Sequence, residues 1–508
     1  MPEHYTAIVI GGGHNGLVAA NYLARAGVGV LVLERRDFVG GACATEELFP
    51  GFRVSSCSYV CHILQDRIID ELELVRHGFE VFPLEPFRFH PHPNGQYLCS
   101  WRDDQRTMEE IQRLAPADAR RYGAWSEFWK RASGILHRYF LTDPPTLAEV
   151  AAQLRGTPDE EVFERMLTGS MKDLVEEHFE SEIVQGAFIE AHDAGDVRAP
   201  GSIMAVAYIK CSQFTDPGNL GIPRGGMGAI TQALARAARA RGAEIRTNVE
   251  VERIDIQYNR ASGVVLKGGE EIRADVILSN ADPKRTFLKL VQEDALESEF
   301  RASIQRLKTD ISCLKFHCAL RELPDFSAYL GRDFDPRILA QIRICPSIAY
   351  FEQSWEDARN GRPSSCPIMY VQIPSVCDPT LTRPGQHVMS VWSLYAPVRL
   401  RQGSWDSARK EVGEHLIDTL SHYAPNIRDA ILEWDVFTPE DLEQRVYLTD
   451  GNIRHLDIVP GQMLARRPGY RTPVSRLYLC GAGTHPGGEV TGAPGHNAAR
   501  VVLRELGL

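Results

Sequence analysis

The 508-residue sequence predicts an α/β protein whose nucleotide-binding unit is assembled from three stretches far apart in the chain. An α+β second domain with an antiparallel sheet and a helical insertion fills the intervals. Three observations carry this: a strand–loop–helix–strand unit at the start, a glycine-rich turn and helix mid-chain, and a matching strand–glycine–helix element at the end.

The first element begins with an apolar run from Tyr5 to Ile10, read as a short buried strand, followed by GGGHNG. Gly11, Gly13 and Gly16 fit G-x-G-x-x-G, a weak signal alone. Its surroundings strengthen it. LVAANYLARAG is built of helix formers and stops at Gly27, and VGVLVLE forms a second strand ending at Glu34, 18 residues beyond Gly16. This is the dinucleotide-binding unit of a Rossmann-type fold. Gly11 makes the turn, Gly13 admits the pyrophosphate, and Gly16 lets helix and strand pack closely. The helix N-terminus offers free N–H groups to phosphate, and Glu34 accepts the hydroxyls of the adenosine ribose. His14 either orients the phosphates or fills a tolerant loop position.

The second element, IPRGGMGAITQALARAARARGAEIRTNVEVERI, reads as a turn, a helix with Ile230 and Leu234 on its apolar face, a cap at Gly242 and a strand through Val251. A further strand ends at Asn280. The third, RLYLCGAGTHPGGEVTGAPGHNAARVV, supplies a buried strand to Cys480, a close backbone approach at Gly481-Ala482-Gly483, and the last helix from Gly492 with Pro494 in its first turn. A helix N-terminus aimed at a flavin ring stabilises the charge that gathers there on reduction. No second complete G-x-G-x-x-G follows a strand, so a separate NAD domain is not expected. The three-part unit predicts FAD.

Composition sets the outer limits. With 56 Lys and Arg against 67 Asp and Glu the net charge is −11, which disfavours nucleic acid as a partner. No apolar stretch reaches 18 residues, and the N-terminus shows no targeting segment. The chain is therefore expected in the cytoplasm, with peripheral membrane contact open. Eleven cysteines contain no C-x-x-C, and Cys57 and Cys61 have no zinc partners nearby. No metal is expected.

The motifs GGGHNGLVAANYLARAG, VLERRDFVGGACATEE, PRGGMGAI and LYLCGAGTHPGGEVTGAPGHNAARV resemble those of the phytoene desaturase-like FAD oxidoreductases. VILSNADPKRTFLKL, IPSVCDPTLTRPG and GNIRHLDIV extend the resemblance over nearly the whole chain and narrow it to one branch, with desaturase-like β-carotene ketolases as relatives. The resemblance implies chemistry on long apolar, isoprenoid-like molecules. It also implies cofactor contacts from Gly11, Gly13, Gly16, Glu34, Gly40, Gly41, Val251, Gly481 and Gly492, with Val251 meeting the adenine through its backbone. Their motif neighbours His14, Asn15, Arg35, Gly483 and Ala493 complete the candidate set. Three departures stand out: Ala42 in place of an arginine, GGEVTG with Glu489 and Thr491 beside the flavin, and Pro494 where small residues are usual.

The sequence divides into FAD-binding segments at 1–85, 221–290 and 441–508, a helical insertion at 86–220 and a substrate domain at 291–440. Residues 128–140 place Phe128, Ile135, Leu136 and Tyr139 or Phe140 on one face, which reads as core with a solvated edge ahead of a membrane-surface helix. EAHDAGD at 190–196 reads as a helix end ahead of a metal site. SCLKFHCAL, PIMYVQI and HVMSVWSLY read as antiparallel strands walling the substrate cavity, with His317 a satisfied sheet residue. The expected activity is hydride transfer from a lipophilic substrate to the flavin, with oxygen, a quinone or a nicotinamide as onward acceptor. An amine or amino-acid oxidase and a non-catalytic FAD-binding protein are the alternatives. His455, His485, Glu489 and Arg454 are the candidates for acid–base work, since His titrates near neutrality. Against this, His485 and Asn452 can equally shape loops around the ring.

Overall fold

Ala7, Ile8 and Val9 expose no surface, so the strand Glu3–Ile10 needs apolar cover on both faces and takes the interior of a parallel sheet. It pairs in parallel with Val30–Leu33 on one side and Glu271–Ser279 on the other. Glu244–Arg246 extends the sheet beyond Val30–Leu33, and Leu477–Leu479 pairs with the last three residues of Glu271–Ser279. Five parallel strands thus come from three separated segments. An antiparallel meander, Val251–Gln257 and Arg260–Leu266, joins the first half of Glu271–Ser279. The computed structural model describes residues 3–191 and 195–508.

Three helices, His14–Arg25, Gly228–Ala240 and Ala493–Leu506, pack on this sheet in one apolar core. First and last helices approach so closely that a Cβ on Gly495 would stand 2.1 Å from the Asn15 carbonyl oxygen. The glycine holds the two N-terminal ends together.

The second sheet runs Ile431–Phe437, Ser312–Leu320, His387–Ala396, Ile368–Gln372, Gln341–Ile344, Arg88–Pro91, Tyr97–Ser100. It is antiparallel except where Gln341–Ile344 meets Arg88–Pro91. The strands read from SCLKFHCAL, PIMYVQI and HVMSVWSLY are all present. Segment 86–220, read as helical, opens instead with two strands, because RFHP and YLCS flank the turn His92–Gln96 and close the sheet edge.

The two faces of this sheet differ sharply. Phe316, Cys318, Met389, Val391, Met369, Val371 and Ile342 form one face, covered by the helix Trp405–Ser421 through Val412, Leu416 and Leu420. By the two-residue alternation of strands the opposite face carries a cross-strand row Lys315, Trp392, Tyr370, Arg343 and a second row His317, Ser390, Gln372, Gln341. All eight are buried. The face away from the helix Trp405–Ser421 is therefore aromatic, polar and cationic.

In the helical region, Ile135, Leu136 and Phe140 are buried in the core while Lys130 pairs with Asp104 and Arg138 with Asp159. The stripe at 128–140 is core with an ion-paired edge. His192, Asp193 and Ala194 of the EAHDAGD run lie outside the described residues. Among those described, no helix is long and apolar enough to cross a membrane, and no group of three or more His, Cys, Asp or Glu side chains is placed to hold a metal.

Candidate active site

The chain leaves Ile10 through Gly11 at φ +96°, a left-handed region that favours glycine, and the Gly11 N–H donates to the Leu33 carbonyl. A Cβ on Gly16 would lie 2.3 Å from the Gly11 oxygen, so the loop closes only without one. Gly13 is tight for a different reason: its Cβ would meet the Asn280 amide at 2.8 Å, and that amide donates to the Gly11 carbonyl. The helix His14–Arg25 starts at Gly13 with no side-chain cap, leaving its first N–H groups for a ligand. Gly40 (φ +140°) and Gly41 (φ +54°) fold back on the loop, with the Gly40 N–H donating to the Gly12 carbonyl.

A cleft runs beside this loop. Glu34, Arg35, Val251, Arg285 and Tyr447 line it together with Gly11, Gly13, His14, Asn15 and Gly41. Glu34 is rigidly presented: one carboxylate oxygen accepts from the Gly12 N–H at 2.9 Å and the other from Arg36 N–H at 2.9 Å. The guanidinium groups of Arg35 and Arg285 stand 3.8 and 3.2 Å from the ring centre of Tyr447, whose hydroxyl donates to Glu250. These stacked cations give the cleft a polar, cationic lining beside Glu34.

The cleft continues into an inner chamber, because His14, Ala42 and His455 line both. Tyr59, Val60, Trp392, Ile453 and Val490 give this chamber its apolar surface, and His62, Arg454 and Glu489 its polar one. Trp392 stacks between Tyr59 and Tyr370, at 5.5 and 4.9 Å. Glu489 accepts from His62 Nε2 at 2.8 Å and forms an ion pair with Arg454. Glu489 and Val490 both have left-handed backbone, φ +73° and +60°. Such residues cost of order 1–3 kcal/mol each and cluster at functional sites.

Buried polar atoms mark where a ligand belongs. His14 Nε2, Asn15 Oδ1 and His455 Nδ1 are buried along the cleft with no protein partner. Burial pushes the His14 imidazole down to about 3, with His455 adding repulsion. His455 likewise falls to about 3 through burial and the nearby Arg467. Both keep some exposure to the cleft, yet both are neutral at physiological pH. Lys315 is completely buried, its Nζ without a hydrogen-bond partner, and burial pulls it down to about 8.

The candidate residues from the sequence divide accordingly. Gly11, Gly13, His14, Asn15, Glu34, Arg35, Gly41, Val251 and His455 line the cleft, and Arg454 and Glu489 the inner chamber. Gly16 and Gly40 shape the loop from behind. Gly481 and Gly483 line neither cavity; their missing Cβ atoms make room for the Asn280 carbonyl and the Pro283 ring. Gly492 (φ +73°) and Ala493 begin the last helix, and the Ala493 N–H donates to Thr491 Oγ1. His485 also stands outside both cavities. Its Nε2 bonds the Tyr139 carbonyl at 2.8 Å, and burial brings the ring to about 4. That geometry ties a loop to the helical region and offers no proton to a substrate. Asn452 Nδ2 donates to Ile311 O and Asp457, a loop brace. His317 Nε2 donates to Ser56 O.

Sequence reasoning missed His62, Lys315, the Tyr447 stack and Gly495. Lys315 carried a signal: alternation in SCLKFHCAL places it on the face opposite Leu314 and Phe316. His62 carried none, since its partner Glu489 is 427 residues away.

Fold and cleft together define an FAD-dependent oxidoreductase: the glycine loop, the uncapped helix start, the orphaned His14 and Asn15 atoms and the fixed Glu34 carboxylate fit a dinucleotide. The chain belongs to the flavin-containing amine oxidoreductase family, whose model matches residues 16–503. It is 34% identical to the rat pyridine nucleotide-disulfide oxidoreductase domain-containing protein 2, over 100% of this chain and 94% of that one. It is 28% identical to a limonene dehydrogenase polypeptide of Castellaniella defragrans, covering 99% and 95%. Identity to the lycopene-forming phytoene desaturase of Pantoea ananas is 24%, covering 97% and 98%. Among solved structures, cyclohexylamine oxidase from Brevibacterium oxydans shares the fold, with TM-score 0.59, 17% identity and coverage of 99% and 100%.

Proposed function

We propose that the protein oxidises a compact lipophilic, isoprenoid-type substrate by loss of a hydride. The observation that carries this is the inner chamber, where Tyr59, Val60, Trp392, Ile453 and Val490 form an apolar surface continuous with the cofactor cleft. When bound, FAD supplies a two-electron acceptor. Glu34 would hold its adenosine ribose, and the Gly11–Gly16 loop with His14 and Asn15 its pyrophosphate. Gly41 and Val251 would flank the nucleotide.

The chain's own contributions are binding, orientation and exclusion of water. The chamber is tight: its free room is about 60 Å³, well below the ~300–1,000 Å³ usual for small-molecule sites. A flavin ring and a substrate must share it. This supports a molecule the size of the limonene named for one relative over the extended phytoene named for others. The neutral imidazoles of His14 and His455 stand at the junction of the two cavities, where they can orient polar groups without adding charge.

The test is anaerobic mixing of FAD-loaded protein with limonene and with phytoene in micelles, following the flavin band near 450 nm. Bleaching by the compact compound supports the reading. Bleaching by phytoene alone, or by neither compound nor any oxygenated derivative of limonene, refutes it.

A further inference from the structure

His62, Glu489 and Arg454 meet in the wall of the inner chamber with side-chain exposures of 12%, 9% and 9%. A carboxylate paired with a guanidinium is ionised and only accepts hydrogen bonds. Nε2 of His62, 2.8 Å from that carboxylate, therefore carries the proton. In the neutral ring the lone pair is then left on Nδ1. A carboxylate fixing the far nitrogen of an imidazole is the arrangement that presents a base.

Charge selects the group this base would serve. Arg454 and Glu489 cancel, and His62 adds no charge in the form that acts as a base. Each Glu489 oxygen already has a partner, so a substrate ammonium would gain little from it and would lie beside Arg454. A hydrocarbon would give the trio nothing to bind, although burying it is costly. A neutral hydroxyl matches it, donating to Nδ1.

We propose that His62 is a general base and that the carbon oxidised by this protein carries a hydroxyl. This rests on the lipophilic-oxidoreductase reading and specifies its substrate as an alcohol. The C–H bond would break with its electron pair leaving as hydride, for which bound FAD would be the acceptor. The O–H bond breaks with its proton passing to His62 Nδ1, and the C–O bond becomes a carbonyl. The substrate loses two electrons and the flavin gains them. Glu489 is a positioning residue for this base, and Arg454 for Glu489.

Three probes on one ring skeleton test the proposal: limonene, perillyl alcohol and perillylamine, each mixed anaerobically with FAD-loaded protein. Perillyl alcohol should bleach the flavin fastest. His62→Gln, which keeps a donor for Glu489 but accepts no proton, should retain FAD and slow that bleaching by ~10²–10⁴-fold. A readout independent of turnover is the ¹⁵N spectrum of the FAD-loaded protein with labelled histidine. The His62 signals, identified by their loss in His62→Gln, should show a protonated Nε2 and a bare Nδ1. Bleaching by limonene but not by the alcohol overturns the proposal and leaves the broader reading standing. Bleaching by the amine alone, or by none of the three, overturns both. A protonated Nδ1, or unchanged bleaching in His62→Gln, overturns the role of His62.

Discussion

Replacing Gly495 with alanine should weaken FAD binding although the residue lines no cavity. The new Cβ would stand 2.1 Å from the Asn15 carbonyl, where real contacts begin at about 3.0 Å, so the helices must part by 3.0 − 2.1 = 0.9 Å. The atom it strikes is backbone in the first turn of His14–Arg25 and cannot swing aside. Overpacking of this kind costs ~1–3 kcal/mol. The apoprotein can relieve it by displacing the helix start, and bound FAD must then restore the original position, so the strain is charged against affinity. Tenfold per 1.4 kcal/mol gives a Kd raised by roughly 5- to 150-fold. Thermal melting is the wrong assay: at ~2.1 cal/mol/K per residue the unfolding entropy of so long a chain turns 1 kcal/mol into only about 1 °C. FAD titration of apoprotein, followed by flavin fluorescence, reads the effect directly. Gly123→Ala is the control, because that Cβ meets nothing within 4 Å inside the helix Pro116–His137. It should leave Kd unchanged and add ~0.5–1 kcal/mol of stability. Equal FAD affinity in Gly495→Ala and wild type would refute the coupling.

Gly16→Ala should destabilise the apoprotein more than Gly13→Ala, because the first meets a backbone oxygen at 2.3 Å and the second a movable Asn280 amide at 2.8 Å; the reverse order of urea midpoints would contradict this. Glu34→Gln loses a carboxylate that accepts two backbone N–H bonds, each charge-assisted bond being worth ~1.5–3 kcal/mol, and should lower the urea midpoint of the apoprotein. His14 and His455 both fall to about 3 through burial, so between that value and ~6.5 the unfolded chain binds protons the folded one refuses. Their stability contribution is complete above ~6.5 and is lost as pH falls through this window; urea midpoints of apoprotein at pH 7 and 5 should converge in His14→Asn/His455→Asn. Lys315, held near 8 by burial, acts at the other end: stability should rise with pH between about 8 and ~10.4, and Lys315→Met should flatten that rise.

The legible parts of this protein are those whose physical cause is local. GGGHNG announces its function because a turn, a close packing contact and a helix start all fall within a few residues, and the Gly11 φ of +96° and the 2.3 Å approach at Gly16 are what those glycines are for. The three strand runs of the second sheet are legible for the same reason, since alternation is a nearest-neighbour property. What each face of that sheet touches is not. The same period that identifies SCLKFHCAL as a strand leaves open whether Lys315 and His317 face water or a buried cavity, and hydrophobicity alone nominates the apolar set as the wall. The fold does the opposite: the helix Trp405–Ser421 claims the apolar face, and the polar face turns to segment 56–62 through His317–Ser56 and Lys315–Tyr59. That inversion explains why Lys315 escapes a reading of the sequence; the histidines are misjudged for a different reason. His485 sits in a flavin motif, but its ring is spent on the Tyr139 carbonyl. His62 sits in no motif and gains its chemistry from Glu489, across nearly the whole chain. The departure GGEVTG is therefore the informative residue pattern: a buried carboxylate requires partners, and finding Glu489 beside a flavin motif should prompt a search for the imidazole and guanidinium that neutralise it.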